Sequence, residues 1–275
     1  MSTAALIFVL TSAALHALWN ALVAGAKDTH VTTAVALTAG ALVFAIPAAL
    51  TWHVDQQAVP YIVASAALEL LYFVLLAAAY SRAEYTFVYP IARGVAPVLV
   101  LVISVLFLDA KVGLPAALGV LAVTGGVLLV RGLRGSGADA AALAFALGVG
   151  ACIAGYTLVD DHGVRHAGAI SYFECILVLV AVPYVTTIAL RRGIAPMRAA
   201  VDRRSLPAGG AMVAAYVLVL AALERAEAAP VAALRETSVV MAAAGAAIAG
   251  REKVPPARIA GAVLVVAGIA AIALG

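Results

Sequence analysis

Long apolar runs, separated by short polar connections, fill the chain from one end to the other. A membrane-spanning helix needs about 20 mainly apolar residues, because each residue advances the helix by only about 1.5 Å. Runs of this length predict ten transmembrane helices, at 3–24, 31–51, 59–80, 86–108, 112–131, 140–159, 169–190, 205–224, 230–249 and 256–274. The pattern therefore predicts an all-α membrane protein.

Composition favours the same class. Of the 275 residues, 65% are hydrophobic and 11% are charged, and the mean hydropathy is +1.12. A typical soluble domain is about 45–50% apolar and about 25% charged, so the lipid bilayer is the expected surroundings. The net charge of +3 is spread thinly over short loops, which gives no reason to expect nucleic acid as a partner. Cys152 and Cys175 lie in apolar runs, so we expect no disulfide, metal or other cofactor.

Two segments of the chain match each other at an offset of 142 residues, which aligns Arg93 with Arg235 and Lys111 with Lys253. The same offset aligns Gly119 with Gly261 and Gly126 with Gly268. The match predicts two five-helix repeats, at 1–137 and 138–275, although chance similarity between Ala/Gly/Val-rich segments is the alternative. Because five is odd, the second repeat must start on the opposite side of the membrane. An inverted repeat of this kind is typical of transporters with a site at the repeat interface.

The basic residues predict the orientation. Twelve Lys and Arg residues fall in one set of loops and three, Lys111, Arg165 and Arg225, fall in the opposite set; the remaining two are Arg93 and Arg235. The side rich in Lys and Arg is normally cytoplasmic. We therefore expect a multi-pass protein of a bacterial-type inner membrane with both termini outside.

Three short motifs carry a resemblance to a known family. They are HALWN at His16–Asn20, YPIARGVAP at Tyr89–Pro97 and VAALRETSV at Val231–Val239. Together they resemble the drug/metabolite transporter (DMT) superfamily, EamA type. The resemblance implies ten helices from duplicated five-helix units. It also implies a central cavity lined mainly by the first, third, fourth, sixth, eighth and ninth helices. It implies transport of a small molecule rather than catalysis, and it does not identify the substrate.

Five charged residues lie deep in the predicted helices: Arg93, Arg235, Glu69, Glu174 and Glu236. A charge at mid-bilayer costs roughly 2.5–3.5 kcal/mol on insertion scales, so such residues usually face a cavity and have partners. The five charges sum to −1, and one carboxyl group is therefore expected to hold a proton. Glu69 is the main candidate for proton coupling, with His16 and Glu236 also considered. A neutral His16, bonded to a neighbouring helix, is an equally good interpretation.

Helical spacing places further polar residues on the same faces as these charges. The predicted substrate-binding set is Arg93, Arg235, Trp19, Asn20, Tyr72, Tyr89, Tyr156 and Ser238. Cys152, Tyr156 and Asp160 also form a stripe, which we expect to point inward. Asp160 begins the polar stretch DDHGVRH, whose spacing could suit a metal; a solvated helix end is the simpler interpretation.

Two prolines flank Arg93. Pro97 has no N–H and leaves the carbonyl of Arg93 free, and Pro90 does the same for Thr86. The fourth helix is therefore expected to kink, with Pro90 and Pro97 as its hinge. Val239 stands where the repeat would need a second Pro97, which makes the fourth helix the expected moving part.

Two arginines favour a substrate with an anionic end, because a guanidinium binds carboxylate or phosphonate groups as a fork. The leading hypothesis is a secondary-active exporter of an amino-acid-like or organic-acid metabolite, working by alternating access. Alternatives are a multidrug or cation exporter, a lipid-linked carrier flippase and a membrane-embedded enzyme using Asp160–His166. If Arg93 merely pairs with Glu69 or Glu236, its role is structural. The chain is expected to be a monomer or a homodimer, the latter through glycines of the fifth and tenth helices.

Overall fold

The computed structural model describes residues 1–23, 26–131, 139–248 and 255–274, and within them the chain is almost entirely helical. Two single turns of 3₁₀ helix lie at Gln56–Ala58 and Val164–His166. The described residues form twelve α-helices: α1 (Thr3–Val23), α2 (Thr29–Leu50), α3 (Val59–Tyr80), α4 (Tyr85–Phe107), α5 (Leu114–Arg131), α6 (Ala140–Gly163), α7 (Ala169–Arg192), α8 (Ile194–Ala199), α9 (Ser205–Leu223), α10 (Ala228–Arg235), α11 (Thr237–Ile248) and α12 (Pro256–Leu274).

Every predicted transmembrane helix corresponds to a helix or a pair of helices in the structure. Within the described ranges, eight helices are long and apolar enough to cross a membrane: α1, α2, α3, α4, α6, α7, α9 and α12. The apolar α5 is shorter, and the ninth predicted helix is divided at Glu236 into α10 and α11. The sequence did not predict the six-residue α8, which lies in the connection after α7. An all-helical protein with eight candidate spans is confirmed, while the count of ten stays a prediction.

The distribution of polar and apolar side chains is the reverse of that in a soluble protein. Leu50 and Leu190 are 81% and 82% exposed, whereas Ser12 and Asp160 have no exposed surface at all. Apolar side chains on the outside are stable in lipid but not in water. The chain is therefore a multi-pass membrane protein.

Helices from the two halves pack against each other in antiparallel pairs. In the pair of α1 and α9, the Ser12 hydroxyl donates to the carbonyl of Ala215 at 2.6 Å, and Arg225 lies over the ring of Phe8. In the pair of α3 and α6, Leu68 lies beside Gly155. About two turns further along α3, Leu75 lies beside Gly148. α4 packs against α6 and α10, which brings Arg93 to the centre of the bundle.

The four aligned glycines lie at the contact between α5 and α12. A Cβ atom on Gly119 would lie 2.7 Å from the carbonyl oxygen of Gly268, and one on Gly126 would lie 2.6 Å from that of Gly261. Such distances leave no room for any side chain, so glycine permits the two backbones to touch. Packing within the chain therefore accounts for these four residues, and they give no support to a dimer contact.

Both ends of the chain lie on one face of the bundle. Met1 and Ile272 border a single cleft of about 550 Å³, together with Lys111, Arg165 and Arg225. These three cations are the ones that the sequence assigned to the face poor in basic residues. Of the residues that entered the repeat and orientation arguments, Arg134, Arg251 and Lys253 lie outside the described part of the chain.

Candidate functional site

A buried ion pair between α4 and the α10–α11 break forms the centre of the site. The Nε–H of Arg93 donates to Oε2 of Glu236 at 2.8 Å, and both side chains are more than nine-tenths buried. The Nη2 atom of Arg93 has no hydrogen-bond partner within the described residues. The ion pair therefore uses only some of the N–H donors of the Arg93 guanidinium.

The helix break that presents Glu236 is a tight turn without glycine or proline. The N–H of Glu236 donates to the carbonyl of Ala233, and the N–H of Val239 donates to the carbonyl of Glu236, each at 3.0 Å. The Thr237 hydroxyl donates to the carbonyl of Leu234 at 2.7 Å. Bonds to the third rather than the fourth preceding residue tighten the turn and interrupt the α-helix. Irregular backbone at membrane depth is stable only when protein or a cavity surrounds it.

Arg235, the last residue of α10, lies over an aromatic ring and forms no ion pair with any residue that the structure describes. Its guanidinium carbon is 4.9 Å from the ring centre of Tyr216 in α9, a cation–π contact. The Tyr216 ring stacks on Phe173 of α7, with centres 4.4 Å apart. The Nε atom of Arg235 is buried without a hydrogen-bond partner within the described residues.

Asp160 is a member of the site that the sequence interpretation undervalued. Its carboxylate accepts hydrogen bonds from the hydroxyls of Tyr172, at 3.0 Å, and Tyr216, at 2.5 Å. The side chain has no exposed surface, so the interpretation of Asp160 as part of a solvated helix end was wrong. The helical spacing of Cys152, Tyr156 and Asp160 had predicted correctly that Asp160 points into the protein. Among the described residues, no group of three or more His, Cys, Asp or Glu side chains lies close enough to hold a metal ion.

Glu69 and His16 lie near these charges but keep some accessible surface. Glu69, on α3, is within electrostatic range of Asp160 and Arg235. His16, on α1, is within electrostatic range of Arg93 and Arg235. The two predicted proton-coupling candidates therefore share one site with both arginines.

Aromatic and polar side chains surround the two arginines. Tyr72, Tyr89 and Tyr156 are within electrostatic range of Arg93, and its guanidinium carbon is 6.0 Å from the ring centre of Tyr89. Ser238 is buried, and its hydroxyl has no partner within the described residues. These residue types can hold both an anionic group and an apolar body.

Trp19 and Asn20 lie one turn further along α1. The Trp19 indole N–H donates to Nδ1 of His16 at 3.3 Å, and the Asn20 amide donates to the carbonyl of His16 at 2.8 Å. Both side chains are therefore held against His16 on the same helix. Whether they touch a substrate stays a prediction.

Glu174 does not share the site. It is buried in α7, one of its carboxylate oxygens lacks a hydrogen-bond partner, and no described charged side chain acts on it. Asp160 takes its place among the central charges, so Arg93, Arg235, Glu69, Glu236 and Asp160 still have a formal sum of −1.

The predicted hinge residues lie in a helix that has no break. α4 extends without interruption from Tyr85 to Phe107, past both Pro90 and Pro97, although the side chain of Pro90 lies outside the described part. The interrupted backbone lies instead between α10 and α11, at Glu236. The assignment of a hinge to the two prolines stays a prediction.

Buried arginines and carboxylates at the centre of a bundle of membrane-spanning helices are characteristic of proteins that move solutes across membranes. The profile of the EamA-like transporter family matches residues 140–274, close to half of the chain. The resemblance to EamA-type transporters, of the DMT superfamily, is therefore confirmed, and VAALRETSV lies within the matched range. Members of that family are membrane transporters of small molecules.

The other comparisons concern curated proteins and solved structures. No curated protein matches the chain. One solved structure, described only as "Crystal structure of protein", superposes with a TM-score of 0.77 at 17% sequence identity, covering 100% of this chain and 98% of that one. At this identity the likeness establishes the fold alone.

Proposed function

We propose that the protein is a secondary-active transporter that exports a small metabolite with an anionic or zwitterionic, amino-acid-like end. The observation that carries the proposal is a set of buried donors that have no acceptor among the described residues: Arg93 Nη2, Arg235 Nε and the Ser238 hydroxyl. An unsatisfied buried donor costs about 1–3 kcal/mol. A carboxylate or phosphonate would satisfy these donors with charge-assisted bonds.

The aromatic side chains near the arginines suit the remainder of such a substrate. Tyr72, Tyr89 and Tyr156 provide apolar ring faces with polar hydroxyls, and Trp19 lies beside His16. Ring faces attract both apolar groups and ammonium groups. An amino acid or a small organic acid fits this combination better than a lipophilic cation, whose site would favour unpaired carboxylates and avoid arginine.

The helix packing supports transport by alternating access between two inverted repeats and a complete set of ten spans. If the two five-helix units are equivalent, the pair of α3 and α6 corresponds to the pair of α9 and α1, and both pairs are packed. The contact of Gly119 with Gly268 likewise corresponds to that of Gly261 with Gly126. Both relations follow from a pseudo-two-fold axis in the membrane plane.

The proposed orientation in the membrane rests on the distribution of basic residues. The face opposite the cleft contains most Lys and Arg residues and would be cytoplasmic in a bacterial-type inner membrane, with both termini outside. We further propose that Glu69 exchanges a proton during transport. Its carboxylate lies near both Asp160 and Arg235, so its protonation changes the charge that a substrate meets.

Ligand-induced stabilisation of the purified protein tests the substrate class. We expect amino acids, organic acids or phosphonates to raise the melting temperature, and cationic drugs not to; a ligand at about 100 times its Kd adds about 2.7 kcal/mol. Arg93→Ala and Arg235→Ala should each abolish the effect of anionic ligands. The matched control is Arg225→Ala, which removes a half-exposed arginine paired with Glu224.

Two outcomes would contradict the proposal. Stabilisation by cationic drugs alone would favour a multidrug or cation exporter. Stabilisation only by lipid-linked compounds would favour a carrier flippase of the same fold.

A further inference from the structure

The two arginines of the site differ in what already occupies them. Arg93 gives its Nε–H to the carboxylate of Glu236. Within the described ranges Arg235 makes no ion pair, although Glu236 acts on it at longer range. Arg235 is therefore the guanidinium with no bonded carboxylate among the described residues, whereas Arg93 keeps only some of its donors for an incoming anion.

A stack of aromatic rings holds Arg235 in place. Tyr216 supports the guanidinium at 4.9 Å from its ring centre and is itself stacked on Phe173 at 4.4 Å. An arginine side chain loses about 1.5–2 kcal/mol of rotamer entropy when it is fixed. If the fold has already fixed it, substrate binding does not have to overcome that loss.

The stack is in turn fixed by the carboxylate of Asp160. The hydroxyl of Tyr216 donates to Asp160 at 2.5 Å, and the hydroxyl of Tyr172 donates to it at 3.0 Å. Asp160 belongs to α6, Tyr172 to α7, Tyr216 to α9 and Arg235 to α10. One buried carboxylate thereby connects three helices to the end of a fourth. A hydroxyl bonded at the far edge of a stacked ring prevents the ring from tilting, because both its face and its edge are held.

We infer that Asp160 is a positioning residue for substrate recognition: through Tyr216 it fixes Arg235 as the guanidinium that binds the anionic group of the substrate. The inference rests on the proposed function for its ligand, but the positioning itself can be tested without one. It assigns unequal roles to the two arginines, with Arg235 open to the substrate and Arg93 held by Glu236.

The first experiment needs no substrate. Nuclear magnetic resonance of isotope-labelled arginine side chains, in the purified full-length protein, reports the surroundings of Arg235, whose signal is assigned with Arg235→Lys. The ring current of Tyr216 should shift this signal, and both Tyr216→Leu and Tyr216→Phe should change it. Tyr172→Phe is the matched control. It removes the other hydroxyl that bonds to Asp160 and leaves the Tyr216 ring beside Arg235 unchanged. Equal changes in Tyr216→Phe and Tyr172→Phe, or no change in either, would overturn the inference.

The second experiment measures binding of isocaproate and of its uncharged amide, isocaproamide. Tyr216→Leu should weaken isocaproate roughly 2- to 30-fold relative to the amide, the range expected for a lost cation–π contact. Tyr172→Phe should leave this ratio unchanged, whereas a general loss of packing would weaken both probes alike and count against the inference. If the wild type binds neither probe, the proposed substrate class fails, and the resonance of Arg235 still decides the positioning role of Asp160.

Discussion

The ion pair between Arg93 and Glu236 allows a quantitative test of what holds α4 to the α10–α11 break. Removing one partner of a buried pair leaves an uncompensated charge and costs about 3–5 kcal/mol. We expect a loss of this size for Arg93→Met. Glu236→Gln keeps an oxygen that can accept the 2.8 Å bond, so its loss should be smaller, about 2–4 kcal/mol.

The double variant distinguishes a coupled pair from two separate effects. With both charges removed, neither residue is left buried without compensation, and the two losses should not add. We expect an interaction energy of about 1–3 kcal/mol between the two positions. The measurement is the free energy of unfolding in lipid–detergent mixed micelles, for wild type, both single variants and the double variant.

A surface pair provides the control cycle. Arg82 and Asp139 lie 3.5 Å apart with side chains that are 48% and 55% exposed. Exposed pairs contribute about 0–1 kcal/mol, so the coupling measured there should be clearly smaller. Additive losses at Arg93 and Glu236, with coupling below about 0.5 kcal/mol, would refute the reasoning. The pair would then be no more than neighbouring charges in a well-solvated cavity.

Two further predictions concern packing and proton coupling. Gly126→Ala should destabilise the protein by about 1–3 kcal/mol in the same unfolding assay, because the new Cβ would lie 2.6 Å from a carbonyl oxygen of α12. Gly125→Ala is its control and should be neutral or stabilising, since the nearest atom would be 3.6 Å away; equal losses would contradict the close packing. Glu69→Gln should flatten the pH profile of transport in proteoliposomes. Glu174→Gln should retain the wild-type profile, and an unchanged profile in Glu69→Gln would remove that residue from the coupling step.

Helix positions were predictable because apolar run length and bilayer thickness are directly related. The division of the ninth helix at Glu236 was not. It depends on the hydroxyl of Thr237 reaching the carbonyl of Leu234, and on the protein that surrounds the turn. Threonine occurs in many unbroken helices, so the residue type alone gives no signal. The two prolines of α4 predicted a kink; α4 continues through both of them, and the kink itself stays a prediction.

Helical spacing predicted which residues share a face of one helix, but not which faces meet at the site. Spacing put Asp160 on the same face as Tyr156, while its position near a helix end suggested water. The structure resolves the conflict through the hydroxyls of Tyr172 and Tyr216, which replace the water that an exposed carboxylate would bind. Glu174 was predicted to join the central charges, and the structure places it apart from them. Its depth in an apolar run was read correctly, but depth does not tell which neighbouring helix the side chain faces.

The difference between the two arginines originates in the residue that follows each of them. The repeat aligns Arg93 with Arg235, but it aligns Gly94 with Glu236, so only one half supplies a carboxylate at this position. A Cβ atom at Gly94 would lie 2.8 Å from a methyl carbon of Leu128, so any larger residue there requires that side chain to shift. In the structure Glu236 forms its short bond to Arg93 and acts on Arg235 only at longer range. Arg235 therefore keeps a buried Nε donor that has no partner among the described residues and is open to another anion. An anion bound there would lie close to Glu236, the next residue along the chain, so occupancy of the site would change the electrostatic free energy of the α10–α11 break.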